Sequence, residues 1–356
     1  MNKESSGLFE EDSKNNVKIY PLKEAKIEKT RFSVFEILRK IKLGKIILDP
    51  DFQRNNVWDN KQKSELIESI LMGIPIPLIY TSQSTDGNMQ IIDGRQRLSA
   101  LRDFVDNDKS FTIKNLQILD SLNGKKFNDL KDIEKTKIED YMFDIYMIVP
   151  PTPDEIKFDI FARVNRGGTK INEQEMRNAL YNGFSTKIIK EMSEIKAFKE
   201  ATSFPNSDRM KDRYLITRFL AFYLLFNDKL DFKYTTIDSF LGKVMKFIND
   251  NFDKFDFSIL KKNFEEIMNY INNNYGDSLF RFKPKGTKKR KISIALFESI
   301  TYAFIIAKEN FKPYPSLDDI DSFKNKLDLP ERTILGVDSS ENIEFRFNEA
   351  KGVALK

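Results

Sequence analysis

The 356-residue chain is long enough for two domains, or for one domain with a large extension, and can bury a sizeable core without covalent staples. It contains neither cysteine nor histidine, which excludes disulfides, thiolate and imidazole metal sites, a Ser-His-Asp triad and an HNH-type nuclease centre built from these residues. The formal charge of +5 is mild for this size, so the placement of the basic residues carries more information than their sum.

In chain order, residues 1–30 are polar, charged and without a clear period, and read as a partly ordered N-terminal arm. Val34, Phe35, Leu38 and Ile41 recur at helical spacing, and Gly44 stands where a C-terminal cap belongs. Ile46-Ile47-Leu48 reads as a short strand broken by Pro50. After Asp51-Phe52-Gln53-Arg54-Asn55-Asn56-Val57-Trp58, Asp59 is placed to cap a helix from Asn60 to Met72, ended by Gly73. Ile74-Pro75-Ile76-Pro77 leads into a strand over residues 78–81. Asp86-Gly87 signals a hairpin turn, and 89–93 is the returning strand. A helix over 95–105 follows, with Leu98, Leu101, Phe104 and Val105 on its apolar face. Phe111 to Leu119 reads as mixed strand and loop, 132–141 as a helix, 143–149 as a strand ended by prolines, and 154–164 as a helix before the turn at Asn165-Arg166-Gly167-Gly168.

Beyond Gly183 the strand signals stop. Apolar-periodic segments cover 187–198, 209–226, 237–252, 257–275 and 293–308, with shorter ones at 316–327 and 342–355. The expected class is α+β: an α/β domain over 31–185 followed by an all-helical domain over 186–356. No stretch is long and apolar enough to cross a bilayer, and the N-terminus lacks the apolar core of a signal peptide. A cytoplasmic protein with no membrane partner is expected.

Four constellations carry chemical interest. In Asp93-Gly94-Arg95-Gln96-Arg97 a strand ends, the chain turns at glycine, and a helix opens with two guanidinium groups. Helix starts present backbone N–H groups and the positive end of the macrodipole, so this is either an anion site suited to phosphate or a surface ion-pair cluster. Phe52-Gln53-Arg54 with Trp58 reads as a ligand-contacting arginine or as a packed cation–π pair. Asn165, Gly167 and Gly168, followed by Asn172, Glu173, Glu175, Arg177 and Asn178, form either a backbone nest for an anion or a helix cap and a solvated face. Lastly, seven of the eleven residues in Arg281–Lys291 are basic and none is acidic. Lys283, Lys285, Lys288, Lys289, Arg290 and Lys291 are candidates to neutralise DNA phosphates, against the reading of a solubilising loop. No Walker loop, dinucleotide glycine fingerprint, zinc spacing or EF-hand loop is present, and Asp49/Asp51 and Glu173/Glu175 have nothing around them that marks a catalytic pair.

Together these motifs resemble the N-terminal domain of GmrSD-type type IV restriction systems, a broad prokaryotic family with a ParB/sulfiredoxin-like α/β fold. The matching segments are Phe52-Gln53-Arg54 with Trp58, the 61–73 helix leading into Ile74-Pro75-Ile76-Pro77, Ile92 to Leu98, Phe161 to Gly168, and Asn172 to Asn178. The resemblance implies binding and hydrolysis of a nucleoside triphosphate with Mg2+. Gln53, Arg54, Asp93, Gly94, Arg95, Gln96, Arg97, Asn165, Gly167 and Gly168 would hold the nucleotide. Asp93, Gln96 and Arg97 would be catalytic, and Asp93 would hold the metal.

The family signature is usually Asp-Gly-Gln-Gln-Arg. Here Arg95 stands where glutamine is common, which keeps phosphate binding and removes a hydrogen-bonding role in hydrolysis. Many relatives carry a following HNH nuclease domain. This chain has no histidine to build one, so a standalone member is expected, with a partner protein supplying the nuclease. The expected function is thus a nucleotide-binding, NTP-hydrolysing sensor or regulator in DNA-modification or anti-phage defence. The alternatives are a non-catalytic DNA-binding adaptor that recruits a nuclease, and a carboxylate- and Mg2+-dependent nuclease.

Overall fold

The computed structural model describes residues 25–48, 58–84, 86–106, 111–164, 172–203, 210–284, 290–330 and 335–356. The chain is mixed α+β and splits into two compact units at Leu180/Tyr181.

The first unit is built on a five-stranded sheet of order β1-β5-β3-β4-β2. The strands are β1 (Ile27–Ser33), β2 (Ile46–Ile47), β3 (Ile79–Gln83), β4 (Met89–Asp93) and β5 (Met142–Ile148). β1 runs antiparallel to β5, β5 parallel to β3, β3 antiparallel to β4, and β4 parallel to β2. β1 begins inside the stretch that reads as an arm. Its exposed, charged pattern hides it from periodicity, and it is the pairing Ile27↔Ile148 through Ser33↔Met142 that makes it a strand. Arg31 and Asp144 face each other across this pairing, with Nε donating to Oδ1 at 2.7 Å.

The β3–β4 hairpin turns where Asp86-Gly87 predicts. Gly87 takes the left-handed φ of +82° that such turns demand, and the Asp86 carboxylate accepts from the Asn88 amide at 3.3 Å and from the Ser84 hydroxyl.

Helices α1 (Val34–Lys42), α2 (Asn60–Leu71), α3 (Arg95–Val105) and α4 (Asp132–Glu139) share one core with the sheet. Val34, Ile37, Ile67, Ile70, Ile79, Ile91, Leu98, Leu101, Phe104, Ile138, Phe143 and Ile145 are all buried in it. Asp59 caps α2 as its sequence predicts, accepting from the Gln62 amide at 2.8 Å while Gln62 returns the bond to the Asp59 amide at 3.1 Å. The 111–119 segment forms no strand. Its backbone is instead bonded to α2: the buried Glu68 carboxylate accepts from the amides of Ile118 at 2.9 Å and Leu119 at 2.8 Å, and Ser64 Oγ accepts from Lys114. Helices α5 (Asp154–Val164) and α6 (Glu173–Leu180) complete the unit, with α6 packed on β4.

The second unit is all helical among its described residues: α7 (Phe184–Ser193), α8 (Lys196–Thr202), α9 (Lys211–Phe226), α10 (Ile237–Asp250), α11 (Phe257–Tyr275), α12 (Ile294–Glu309), α13 (Leu317–Leu327) and α14 (Ser340–Ala354). The segment that reads as one helix over 187–198 is two, with a break at Glu194–Ile195. Helix α12 is buried almost all round, and its core includes Phe222, Phe264, Phe297, Tyr302 and Phe347. No helix among the described residues is long and apolar enough to cross a membrane.

Candidate functional site

Strand β4 runs into helix α3 through Gly94, whose φ of +99° lies in the left-handed region. A Cβ at this position would stand 2.9 Å from Ile79 Cγ1 and 3.3 Å from Arg97 Nη2. Glycine is therefore required twice, by backbone conformation and by the approach of the neighbouring strand. As the N-cap of α3 it offers no side chain to the first turn, which leaves that turn's N–H end without a built-in anion from the cap position.

Arg97 is only 8% exposed. Its Nη2 donates to Asp93 Oδ2 at 2.7 Å, and its Nη1 donates to the Leu78 carbonyl at 3.3 Å and to the Pro77 carbonyl. Burial pulls its pKa down from the ordinary arginine value and the Asp93 carboxylate opposes that shift; the group stays a cation. The guanidinium fork is thus occupied by protein groups beneath the turn. The Asp93 side chain, at 42% exposure, is the more accessible half of the pair, and Arg95 and Gln96 are partly exposed on the first turn.

Two further residues hold this turn in place. Gln96 Oε1 accepts from the Trp58 amide at 3.3 Å, which ties the chain just before α2 to the start of α3. Tyr141, between α4 and β5, accepts from the Ile76 amide at 2.9 Å and donates to the Ile74 carbonyl at 3.1 Å. This clamps the Ile74–Leu78 segment whose carbonyls receive Arg97. Sequence reading missed Tyr141, because its partners are backbone atoms 65 and 67 residues away and no motif marks it. The signal available was the Ile74-Pro75-Ile76-Pro77 run, where two prolines cannot donate to a ladder and the remaining groups need partners from elsewhere.

The Asn172–Asn178 group resolves into local bonding. Asn172 and Glu175 form a reciprocal capping box for α6, with Asn172 Oδ1 accepting from the Glu175 amide at 2.9 Å and Glu175 Oε2 from the Asn172 amide at 2.7 Å. Inside the unit, Gln174 Nε2 donates to Asn178 Oδ1 at 3.1 Å, Arg177 Nη1 donates to Gln174 Oε1 at 3.3 Å, and Arg177 lies over the Phe158 ring. Those three polar side chains are buried, so they are core groups on the α6 face and not a solvated one.

The basic segment is partly neutralised where it is described. Arg281 bonds the carbonyls of Asp277 and Arg290, Lys283 pairs with Asp321 at 3.1 Å, and Arg290 pairs with Asp328 at 3.1 Å while lying over Phe282. Lys291 is exposed. Lys285, Lys288 and Lys289 lie outside the described residues, as do Gln53, Arg54, Asn165, Gly167, Gly168 and the Asp49/Asp51 pair. Among the described residues no three acidic side chains gather as a metal cluster would require.

Of the candidate residues, the structure thus brings together Asp93, Gly94, Arg95, Gln96 and Arg97 in one glycine-capped turn. No curated protein matches the chain. Residues 34–182 match the family model described as "GmrSD restriction endonuclease, N-terminal domain". That span holds the sheet from β2 to β5, the helices α1 to α6 and the whole Asp93–Arg97 turn. Residues 34–182 of this chain are therefore similar to GmrSD restriction endonuclease N-terminal domains.

Proposed function

We propose that this protein is a component of a restriction or anti-phage defence system in which the Asp93–Arg97 turn binds the phosphates of a nucleoside triphosphate. The observation that carries the reading is the glycine-capped start of α3 directly after β4, with Arg95 on its first turn and the Asp93 carboxylate beside it. A helix start whose cap residue carries no side chain favours a phosphate through its N–H groups and dipole, and a guanidinium adds a charge-assisted fork. The match of residues 34–182 to that family model supports a role in restriction, and the same turn carries the family-like signature.

Asp93 also fits the magnesium ion that accompanies nucleotides. Its Oδ2 is taken by Arg97, and Oδ1 is the atom that would meet the ion, which needs few carboxylates when phosphates supply the rest. When bound, magnesium would neutralise charge on the phosphates. Hydrolysis, in this reading, depends on preorganised charge with no covalent step. DNA chemistry would come from a nuclease partner.

The test is binding of a fluorescent NTP and phosphate release with Mg2+, with and without DNA, for wild type, Asp93→Ala and Arg95→Ala. Removing the phosphate contact of Arg95 should cost about 1.5–3 kcal/mol of binding, the worth of a charged hydrogen bond. Asp93→Ala should abolish release. A wild-type chain that binds DNA with steep salt dependence and shows no nucleotide effect overturns the proposal and leaves the adaptor reading in its place.

A further inference from the structure

Helix α3 opens over a continuous chain of hydrogen bonds: Tyr141 hydroxyl to Ile76 amide and Ile74 carbonyl, then the carbonyls of Pro77 and Leu78 to the Arg97 fork, then Arg97 to Asp93. Each link is specific. Pro75 and Pro77 have no N–H, so the segment cannot be held by a strand ladder on those residues, and Tyr141 supplies the missing anchor from a ring set edge-to-face with Phe143, centroid to centroid 5.2 Å and 72° between planes. The Tyr141 carbonyl is itself fixed by the Val34 amide at 3.0 Å, at the junction of β1 and α1. The hydroxyl therefore stands on a rigid base and reaches a strap whose two prolines have no N–H to donate. At the far end, Arg97 spends both terminal nitrogens on the strap and on Asp93, and its burial leaves it facing the protein.

We infer that Tyr141 and Arg97 are positioning residues of the Asp93–Arg97 site: the Tyr141 hydroxyl sets the strap, the strap sets the Arg97 fork, and Arg97 aims the Asp93 carboxylate. Contact with the ligand falls to Asp93, Arg95 and the first-turn amides. The inference rests on the reading of this turn as a phosphate site, and it divides the turn into an inner clasp and an outer ligand face. The signature's terminal arginine then works from beneath, and the residue at position 95 meets the ligand.

Tyr141→Phe removes only the hydroxyl and keeps the ring on Phe143; Arg97→Lys keeps the charge toward Asp93 and loses the fork. Hydrogen–deuterium exchange and fluorescent NTP binding are to be measured on the full chain for both variants and for the double variant, with the melting temperature as a check on folding. The expected result for Tyr141→Phe is faster exchange in 74–79 and in 93–98, with nucleotide binding weakened about three- to tenfold. The double variant should bind no more weakly than Arg97→Lys alone, because both changes act through one strap. A Tyr141→Phe chain that loosens 74–79 while 93–98 and nucleotide binding keep wild-type values overturns the inference, as does a double variant whose two losses simply add. A wild-type chain that binds no nucleotide overturns the phosphate reading; coupled loosening of 74–79 and 93–98 would still support the clasp.

Discussion

At the scale of single residues, Gly94 is the position where conformation and packing make the same demand. Alanine there would adopt a left-handed φ and push a methyl against Ile79, 2.9 Å away. The backbone term alone is about 1–2 kcal/mol, and the clash adds to it. Gly94→Ala should therefore lower the unfolding free energy by more than about 1 kcal/mol in urea titration. It should also shift the first turn of α3 and weaken nucleotide binding. A variant as stable as wild type would show that the turn relaxes without cost. The same close reading separates the two arginines of the motif. In the sequence both are cations near a helix start. In the fold Arg97 is buried on backbone carbonyls, and Arg95 is partly exposed.

At the scale of elements, the contact between α9 and α12 holds a titrating pair. The Tyr223 hydroxyl donates to Glu309 Oε1 at 2.7 Å near the end of α12. Glu309 is exposed as a residue, but partial desolvation where its carboxyl meets Tyr223 raises its pKa above the ordinary value, and the hydrogen bond from Tyr223 and the charge of Lys229 only partly oppose the shift. Burial likewise pushes the Tyr223 hydroxyl upward, aided by Glu309. The sign follows from linkage. A carboxyl that holds its proton more tightly in the folded than in the unfolded state gives stability that is fully present below the unfolded pKa. That stability is lost as pH rises through the folded pKa. Between the ordinary glutamate value of 4.5 and its raised folded value, Glu309 thus opposes the usual gain of stability with pH. Glu309→Gln should remove this loss. Its melting temperature relative to wild type should be higher at pH 7 than at pH 4, and an offset between variant and wild type that stays constant with pH would refute the assignment.

Several elements were legible from pattern because their causes are local. The 257–275 helix and the 95–105 helix need only period and caps, and both were found with those bounds. The break at Glu194–Ile195 and the strand at Ile27–Ser33 were not legible. A two-residue interruption leaves the apolar period nearly intact, and an exposed edge strand has no alternation to show.

At the scale of the whole molecule, the helical unit is fastened by a buried ionic network that no local motif announces. Glu298 on α12 accepts from Arg218 Nε on α9 at 2.6 Å, from Arg218 Nη2 at 3.2 Å, and from Arg346 Nη2 on α14. Arg218 also reaches Asp338 at 2.6 Å, Arg346 bonds the Val337 carbonyl at 2.6 Å, and the Tyr234 hydroxyl donates to the Asp338 carbonyl at 2.7 Å. Burial alone would lower the pKa of both arginines; Glu298, with Tyr214 and Asp338, more than offsets this for Arg218, and for Arg346 burial wins. Glu298→Ala would leave two buried guanidinium groups short of a counter-charge, which typically costs about 3–5 kcal/mol. Urea unfolding of the full chain should show that loss in the transition of the helical unit. A loss below about 1 kcal/mol would mean that water or Asp338 replaces the carboxylate.

Composition and local pattern were enough for the class of the molecule: α+β, helices after Gly183, chemistry without cysteine or histidine, and a glycine turn with two arginines at a helix start. These follow from composition and from bonds between neighbours along the chain, which one linear pattern records. Long-range packing was needed to show which of the two arginines is turned inward, that Tyr141 supports the turn from 44 residues beyond Arg97, that the α6 polar groups are core, and that Glu298 joins three helices. Each of these depends on which distant backbone or side chain fills the space beside a polar group, and burial makes that partner obligatory without writing its address into the local sequence.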